Sequence, residues 1–166
     1  MKLNIFLFIS LLSISCTTNN GDVNEGFLIK GMTKSLADGT TIYLEDKYGE
    51  VVIMIDSAAV ANNTFMFKGQ LKDGPRQMRL RTRDYCQVGY IWLEHSTIIF
   101  DATQSSNFGA QSNFAGAKIT GSHEQSLSDQ LGNIGISYSD ENALALKTLI
   151  NKNPHSTALF GQFSTC

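Results

Sequence analysis

Only three cysteines occur in this chain, Cys16, Cys86 and Cys166, and no two of them are close enough to form a CxxC pair. A dithiol redox motif or a paired-cysteine zinc site is therefore excluded within these 166 residues. The 3 histidines, His95, His123 and His155, stand apart, so the close ligand pairs of a metal centre are missing too. HExxH, GxSxG, a P-loop and GxGxxG are all absent, which removes the sequence basis for the corresponding hydrolase and nucleotide-binding chemistries. His123 beside Glu124 reads as a helix start. Asp56-Ser57 lacks a nucleophile elbow and a His partner and reads as a strand end. No catalytic residue and no cofactor is expected.

Charge of one sign is lacking as well. With 13 basic and 15 acidic residues the formal charge is -2 and the pI about 5.9, which argues against nucleic acid as the main partner. Proline is scarce, 2 residues against 14 glycines, and with 10 Phe and 5 Tyr this balance suits a turn-rich β protein better than a helical bundle. The length and the 42% hydrophobic content fit one ordinary globular domain.

What is present begins at the N-terminus. "MKLNIFLFISLLSIS", residues 1–15, has Lys2 and then an apolar run from Leu3 to Ile14. The run is too short to span a bilayer of about 30 Å and reads as a secretory signal. "LSISC" resembles the bacterial lipobox, with Leu12 one place further from Cys16 than the usual pattern has it. Cys16 is accordingly the expected lipid attachment site, and an ordinary signal on a soluble exported protein is the alternative. The polar stretch to residue 25 reads as a tether, so the membrane is one expected partner. Export also permits disulfides, which makes Cys86 and Cys166 a candidate pair.

From Phe27 to Thr120 short β segments alternate with turns. "FLIKGMT" reads as a first strand. Asp38-Gly39 marks a tight turn before Ile42 and Leu44, which point inward around Tyr43. "VVIMIDSAAV" is nearly all apolar and predicts a strand covered on both faces. "TFMFKGQL" puts Phe65, Phe67 and Leu71 on one face and Met66 and Lys68 on the other. "QMRLRTR" alternates Met78, Leu80 and Thr82 with Arg79, Arg81 and Arg83. "YIWLEHSTIIFDA" and "KITGS" supply the remaining strands, separated by a polar loop over 103–117. About eight strands at this spacing predict a mainly β fold, an antiparallel sandwich or partly open barrel.

Two readings of the arginine stripe stand side by side. Arg79, Arg81 and Arg83, with Arg76 nearby, could present a cationic ladder to an anionic glycan, lipid head group or partner protein. Alternatively they form the wet face of a half-buried strand, paired with acidic neighbours such as Glu94. Cys86, in "RDYCQVGY", reads as a buried inert thiol or as the partner of Cys166.

After Gly121 the pattern becomes helical. Ser122 with Gln125 three residues on has the form of a capping box. "SDENALALKTLINKN" is acidic at its start and basic at its end, as the helix dipole favours. Asn153-Pro154 predicts a third helix with Pro154 at its first position. The expected layout is a signal over 1–15, a lipid-anchored tether over 16–25, a β domain over 26–121 and a helical segment over 122–166.

The ordered set "GFLIKGMTKSLADGTTIYLED", "IDSAAVANNTFMFKGQL", "YIWLEHSTIIFDA", "KITGS" and "NKNPHSTALF" resembles an N-terminal β domain of uncharacterised function found in envelope lipoproteins of Bacteroidota. In that group it typically precedes a thioredoxin-like domain of the thiol-disulfide interchange or peroxiredoxin-like kind (TlpA/ResA, AhpC/TSA). The shared features fall at Gly31, Asp38-Gly39, Ile42 to Leu44, Asp56-Ser57, Phe65-Phe67-Gly69, Trp92 to Glu94 and Ile119 to Ser122. The resemblance implies a lipid-anchored, non-catalytic binding or positioning module of the cell envelope, with an envelope protein or glycan as partner. The alternative it implies is the front part of a thioredoxin-like thiol-disulfide interchange protein, whose CxxC is not in these residues.

Overall fold

The two-residue alternation of apolar side chains is satisfied when two sheets face one another and bury the apolar set between them. A computed structural model of the chain describes residues 26–48, 50–104, 114–135 and 139–160. Eight strands form in order: β1 (Phe27–Thr33), β2 (Thr41–Tyr48), β3 (Val51–Ala59), β4 (Thr64–Gly69), β5 (Arg76–Thr82), β6 (Val88–Leu93), β7 (Thr97–Ala102) and β8 (Lys118–Thr120). One sheet runs β4-β1-β7-β8 and the other β3-β2-β5-β6. This is the expected sandwich rather than a barrel. Its pairs are antiparallel except β1 with β7, which run parallel because the chain visits the second sheet before returning.

The core lies between the sheets. Ile29, Ile42, Leu44, Leu80, Ile91, Leu93, Ile98 and Phe100 are wholly buried, and Phe65, Phe67 and Phe114 nearly so. Phe65 stacks against Phe114 with ring centroids 6.0 Å apart, and Phe100 meets Phe114 edge-on at 5.1 Å. Two glycines make this possible. A Cβ on Gly31 would lie 2.1 Å from the Phe65 ring, and one on Gly89 would lie 2.7 Å from the Phe114 carbonyl oxygen. Phe114 itself closes the loop after β7 back into the core, its N–H donating to the Gln87 side chain. Most of the polar 103–117 loop, residues 105–113, lies outside the described residues.

The run "VVIMIDSAAV" departs from its expected place. β3 is an edge strand, and Val51, Val52, Ile53, Met54 and Ile55 are all exposed rather than covered on both faces. The reason is in the register. β2 pairs with β5 only from Ile42 to Asp46, whereas its pairing with β3 continues to Tyr48, past an irregularity at Leu44/Glu45. Beyond Asp46 the hairpin is two-stranded, which leaves Val51 and Val52 with no sheet beside them, while Ile53 to Ile55 lie on the outer strand at the irregularity.

Helices α1 (His123–Ile134), α2 (Asp140–Lys152) and the short α3 (Thr157–Phe160) follow. Ser122 caps α1, accepting from the Gln125 N–H at 3.0 Å. The Gln125 side chain does not reach back as a full capping box would. Its oxygen accepts from the Trp92 N–H, fastening α1 to β6, and its nitrogen donates to Asp129. Glu94 accepts from the His123 N–H at the same junction, so it serves the helix start and not the arginines. Ser139 caps α2, accepting from the Asn142 N–H, and the acidic start and basic end expected of this helix are at its two ends. α3 begins at Thr157 and not at Pro154, because Ser156 is the cap: its oxygen accepts from the Leu159 N–H. Ser156 also donates to Glu124 at 2.7 Å, and the Ala158 N–H donates to the same carboxylate oxygen at 2.7 Å. Leu127, Leu149 and Leu159 form a small second core under this latch.

Gly31→Ala should destabilise the domain by about 1–3 kcal/mol, since the Phe65 ring is already packed on three other rings and has no free space to move into. Gly132→Ala, in the last turn of α1 with open space around it, should instead stabilise by about 0.5–1 kcal/mol. Urea denaturation of the two variants side by side checks both signs.

Candidate binding site

Cross-strand pairing brings the arginine stripe to a carboxylate that the sequence does not place beside it. Glu45 lies directly opposite Arg79 in the β2–β5 ladder, and Arg81 is its diagonal neighbour. Arg79 donates to Glu45 Oε2 from Nε at 3.0 Å and Nη2 at 2.6 Å. Arg81 donates to Oε1 from Nε at 2.8 Å and Nη2 at 2.5 Å. One carboxylate is thus held in two guanidinium forks, with Glu45 only 2% exposed. Burial alone would raise the Glu45 pKa. The hydrogen bonds and charges of Arg81 and Arg79 outweigh it and hold the carboxyl below its usual range. Arg76 pairs separately with Asp46 and Asp73.

Two tyrosines cover this cluster. The Arg81 guanidinium lies 4.7 Å from the Tyr43 ring centroid and 4.2 Å from that of Tyr85. Tyr85 reaches this position from a left-handed backbone conformation, φ 60°. The β5–β6 turn secures it: the Thr82 hydroxyl donates to Asp84 at 2.6 Å, the Cys86 N–H donates to the same oxygen, and the Gln87 N–H donates to Thr82. The Thr82 hydroxyl, the Cys86 N–H and the Cys86 thiol together hold Asp84 down at about 2. Cys86 is exposed with a free thiol, not buried as the sequence suggests, because the turn that lays Tyr85 over Arg81 leaves residue 86 at the surface. Hydrogen bonding to Asp84 and the charge of that carboxylate push the thiol pKa up, the reverse of an activated nucleophile. Cys16 and Cys166 lie outside the described residues, and so does the candidate Cys86–Cys166 pairing.

Arg83 differs from its two neighbours on the stripe. It is exposed and makes no ion pair among the described residues. It lines a shallow cleft of about 820 Å³ between the β1–β2 connection and the β5–β6 turn, with Thr40, Thr41, Tyr43 and Asp84. The guanidiniums of Arg79 and Arg81 are engaged by Glu45 and largely covered, with side-chain exposures of 11% and 14%. Any anion at this face would meet Arg83 first.

The histidines are not gathered: His95 bonds the Leu71 carbonyl, and His123 and His155 are exposed on the helical side. Among the described residues, no three His, Cys, Asp or Glu side chains are placed to hold a metal ion. Asp56 and Ser57 lie inside β3, where the Ser57 N–H bonds the Asp56 carboxylate.

A family model matches residues 27–127, from the first residue of β1 into α1. The chain belongs to the family described as domain of unknown function DUF4369. The DUF4369 region therefore takes in both sheets, the Glu45 cluster, the Gly31 and Gly89 positions and the Glu124 half of the helical latch. Ser156 and α3 fall beyond it. No curated protein matches the chain.

Two outcomes test this geometry. The folded-state pKa of Glu45 is below its usual value of 4.5, so its stabilisation is complete above that pH and is lost as pH falls through the folded value. Glu45→Gln should cost about 3 kcal/mol at pH 7 and flatten the loss of stability on acidification, read from denaturation curves at a series of pH values. In a chain with Cys16 and Cys166 replaced by Ser, Asp84→Asn should move the pH profile of Cys86 alkylation to lower pH. An unmoved profile would remove Asp84 as the cause.

Proposed function

We propose that this DUF4369 chain is a lipid-anchored, non-catalytic binding or positioning module of the cell envelope. The observation that carries the binding role is the open edge of β3, a nine-residue strand with five successive aliphatic side chains exposed. Five successive exposed aliphatic residues, shared between the two faces of an edge strand, form a surface that an added extended strand would cover. The anchoring rests on the lipobox-like "LSISC" and the polar tether after it. The exposed Arg83 beside the hydroxyl-lined cleft offers a second contact for an anionic glycan or an acidic protein surface. A thiol held protonated at Cys86 supports a role that does not depend on redox chemistry.

A second reading places the chain in front of a thioredoxin-like domain of a thiol-disulfide interchange protein. The Glu124 latch favours it, since Ser156 and Ala158 give the chain leaving the domain a set position. The coding DNA around this frame decides that point, and a frame with no thioredoxin-like sequence removes the second reading.

Cys16→Ser should abolish incorporation of labelled palmitate and release the protein from the membrane fraction in the native host. Retention of both label and membrane association by the variant would overturn the anchoring. Turnover by the purified chain that a Cys86 or histidine substitution abolishes would overturn the non-catalytic role.

A further inference from the structure

We propose that β3 is a self-association edge: two copies of this chain pair their β3 strands antiparallel about a two-fold axis, joining two four-stranded sheets into one of eight strands. This deepens the binding-module reading by naming the partner at the same edge, and it rests on that reading for the use of the edge alone.

The chemistry of the site selects the occupant. β3 is bonded to β2 along one side, and among the described residues no strand pairs with the other. Its outward N–H and C=O groups alternate on either side of the irregularity at Ile55, and an extended strand is what matches them while covering side chains on both sheet faces. The other edges are handled differently. β6 is fastened under α1 through Gln125, β8 is three residues long, and β4 carries Lys68. From Val51 to Val60 there is no proline, lysine or arginine, so of the devices that blunt an edge β3 has only the irregularity at Ile55 and the charge of Asp56.

A second copy supplies a matching strand by construction. In a two-fold antiparallel pair each strand is both site and ligand, and one residue faces its own mate. Centring on Ile53 would set Glu50 of each copy against Asp56 of the other. Centring on Met54 avoids that opposition: Met54 faces Met54, Ile53 faces Ile55, and Val52 faces Asp56.

Size sets the strength. A fully exposed aliphatic side chain offers roughly 60–120 Å². Five of them, each about half exposed, give about 150–300 Å² per copy before the backbone is counted. The pair therefore falls below the roughly 1,200 Å² of standard interfaces, in the weak and reversible class. Attachment of both copies to one membrane would raise their local concentration and favour the pair.

Sedimentation velocity of the full chain, in a detergent of known micelle mass, tests this over a concentration series. A monomer–dimer equilibrium in the micromolar range is expected, and Ile53→Lys should weaken it at least about tenfold because the new cations approach across the axis. The thermal midpoint of that variant should match the parent's, since Ile53 contributes nothing to the core. Met66→Lys, on the exposed face of the other sheet, should leave the equilibrium unchanged. Amide exchange over residues 51–57 should slow as concentration rises. A monomer up to roughly millimolar concentration, or a dimer indifferent to Ile53→Lys, would overturn the proposal. So would β3 amides that become protected only when a separate extended apolar peptide is added. None of these outcomes bears on Cys16-dependent membrane retention, so self-pairing and anchoring fail separately.

Discussion

The Phe65 ring lies where the side chain of residue 31 would be, and the sandwich is arranged around that contact. Gly31 is in the middle of its sheet, with β4 on one side and β7 on the other. Only a residue without a Cβ allows a ring from the adjacent strand to lie flat across the backbone there. Phe65 then meets Phe67, Phe100 and Phe114, which come from β4, β7 and the loop after β7. Gly89 in the opposite sheet accepts the far side of the same cluster. Segments spread from residue 31 to residue 114 are thereby committed to one packing solution, and the parallel β1–β7 pair is part of it.

Two buried carboxylates act as ties outside that core. Glu45 joins β2 to β5 through the two arginine forks, and Glu124 joins α1 to the segment before α3. Each is nearly inaccessible and each is met by donors, Glu45 on both oxygens and Glu124 twice on Oε2, which is the condition under which burying an acid is tolerable. The arginine stripe is therefore less cationic than its spelling. Glu45 cancels one of its positive charges, Tyr43 and Tyr85 cover Arg81, and Arg83 is left as the exposed member of the three.

Local features were legible in the sequence, and features that depend on register were not. The alternations around Tyr43, across Phe65–Phe67 and along Met78–Arg83 report their buried faces correctly, because period two needs only the strand itself. Ser122 likewise caps the helix it precedes. By contrast, the partner of Arg79 is 34 residues away in the chain, and no local rule favours Glu45 over Glu94. The outward turn of Cys86 depends on Asp84 organising the loop, and the late start of α3 depends on Ser156 having a carboxylate to bind. For "VVIMIDSAAV" the composition reads as a covered strand. Whether anything covers it is decided by its place at the outside of the sheet and by its register on β2, which are properties of other segments too.

That strand poses a separate question of cause. Val51 to Ile55 contribute nothing to the core, so the stability of the sandwich does not require them to be apolar. Strand propensity accounts for valine and isoleucine in part, but threonine and tyrosine serve a pleated backbone equally well and tolerate water better. Propensity does not account for Met54 at all, and it gives no reason for the lack of a lysine or proline along a free edge. In a chain whose other edges are shortened, charged or placed under a helix, an apolar edge is the exception. The physical conditions that favour such residues at β3 exist when another strand lies against it, and the described residues of a single copy supply none.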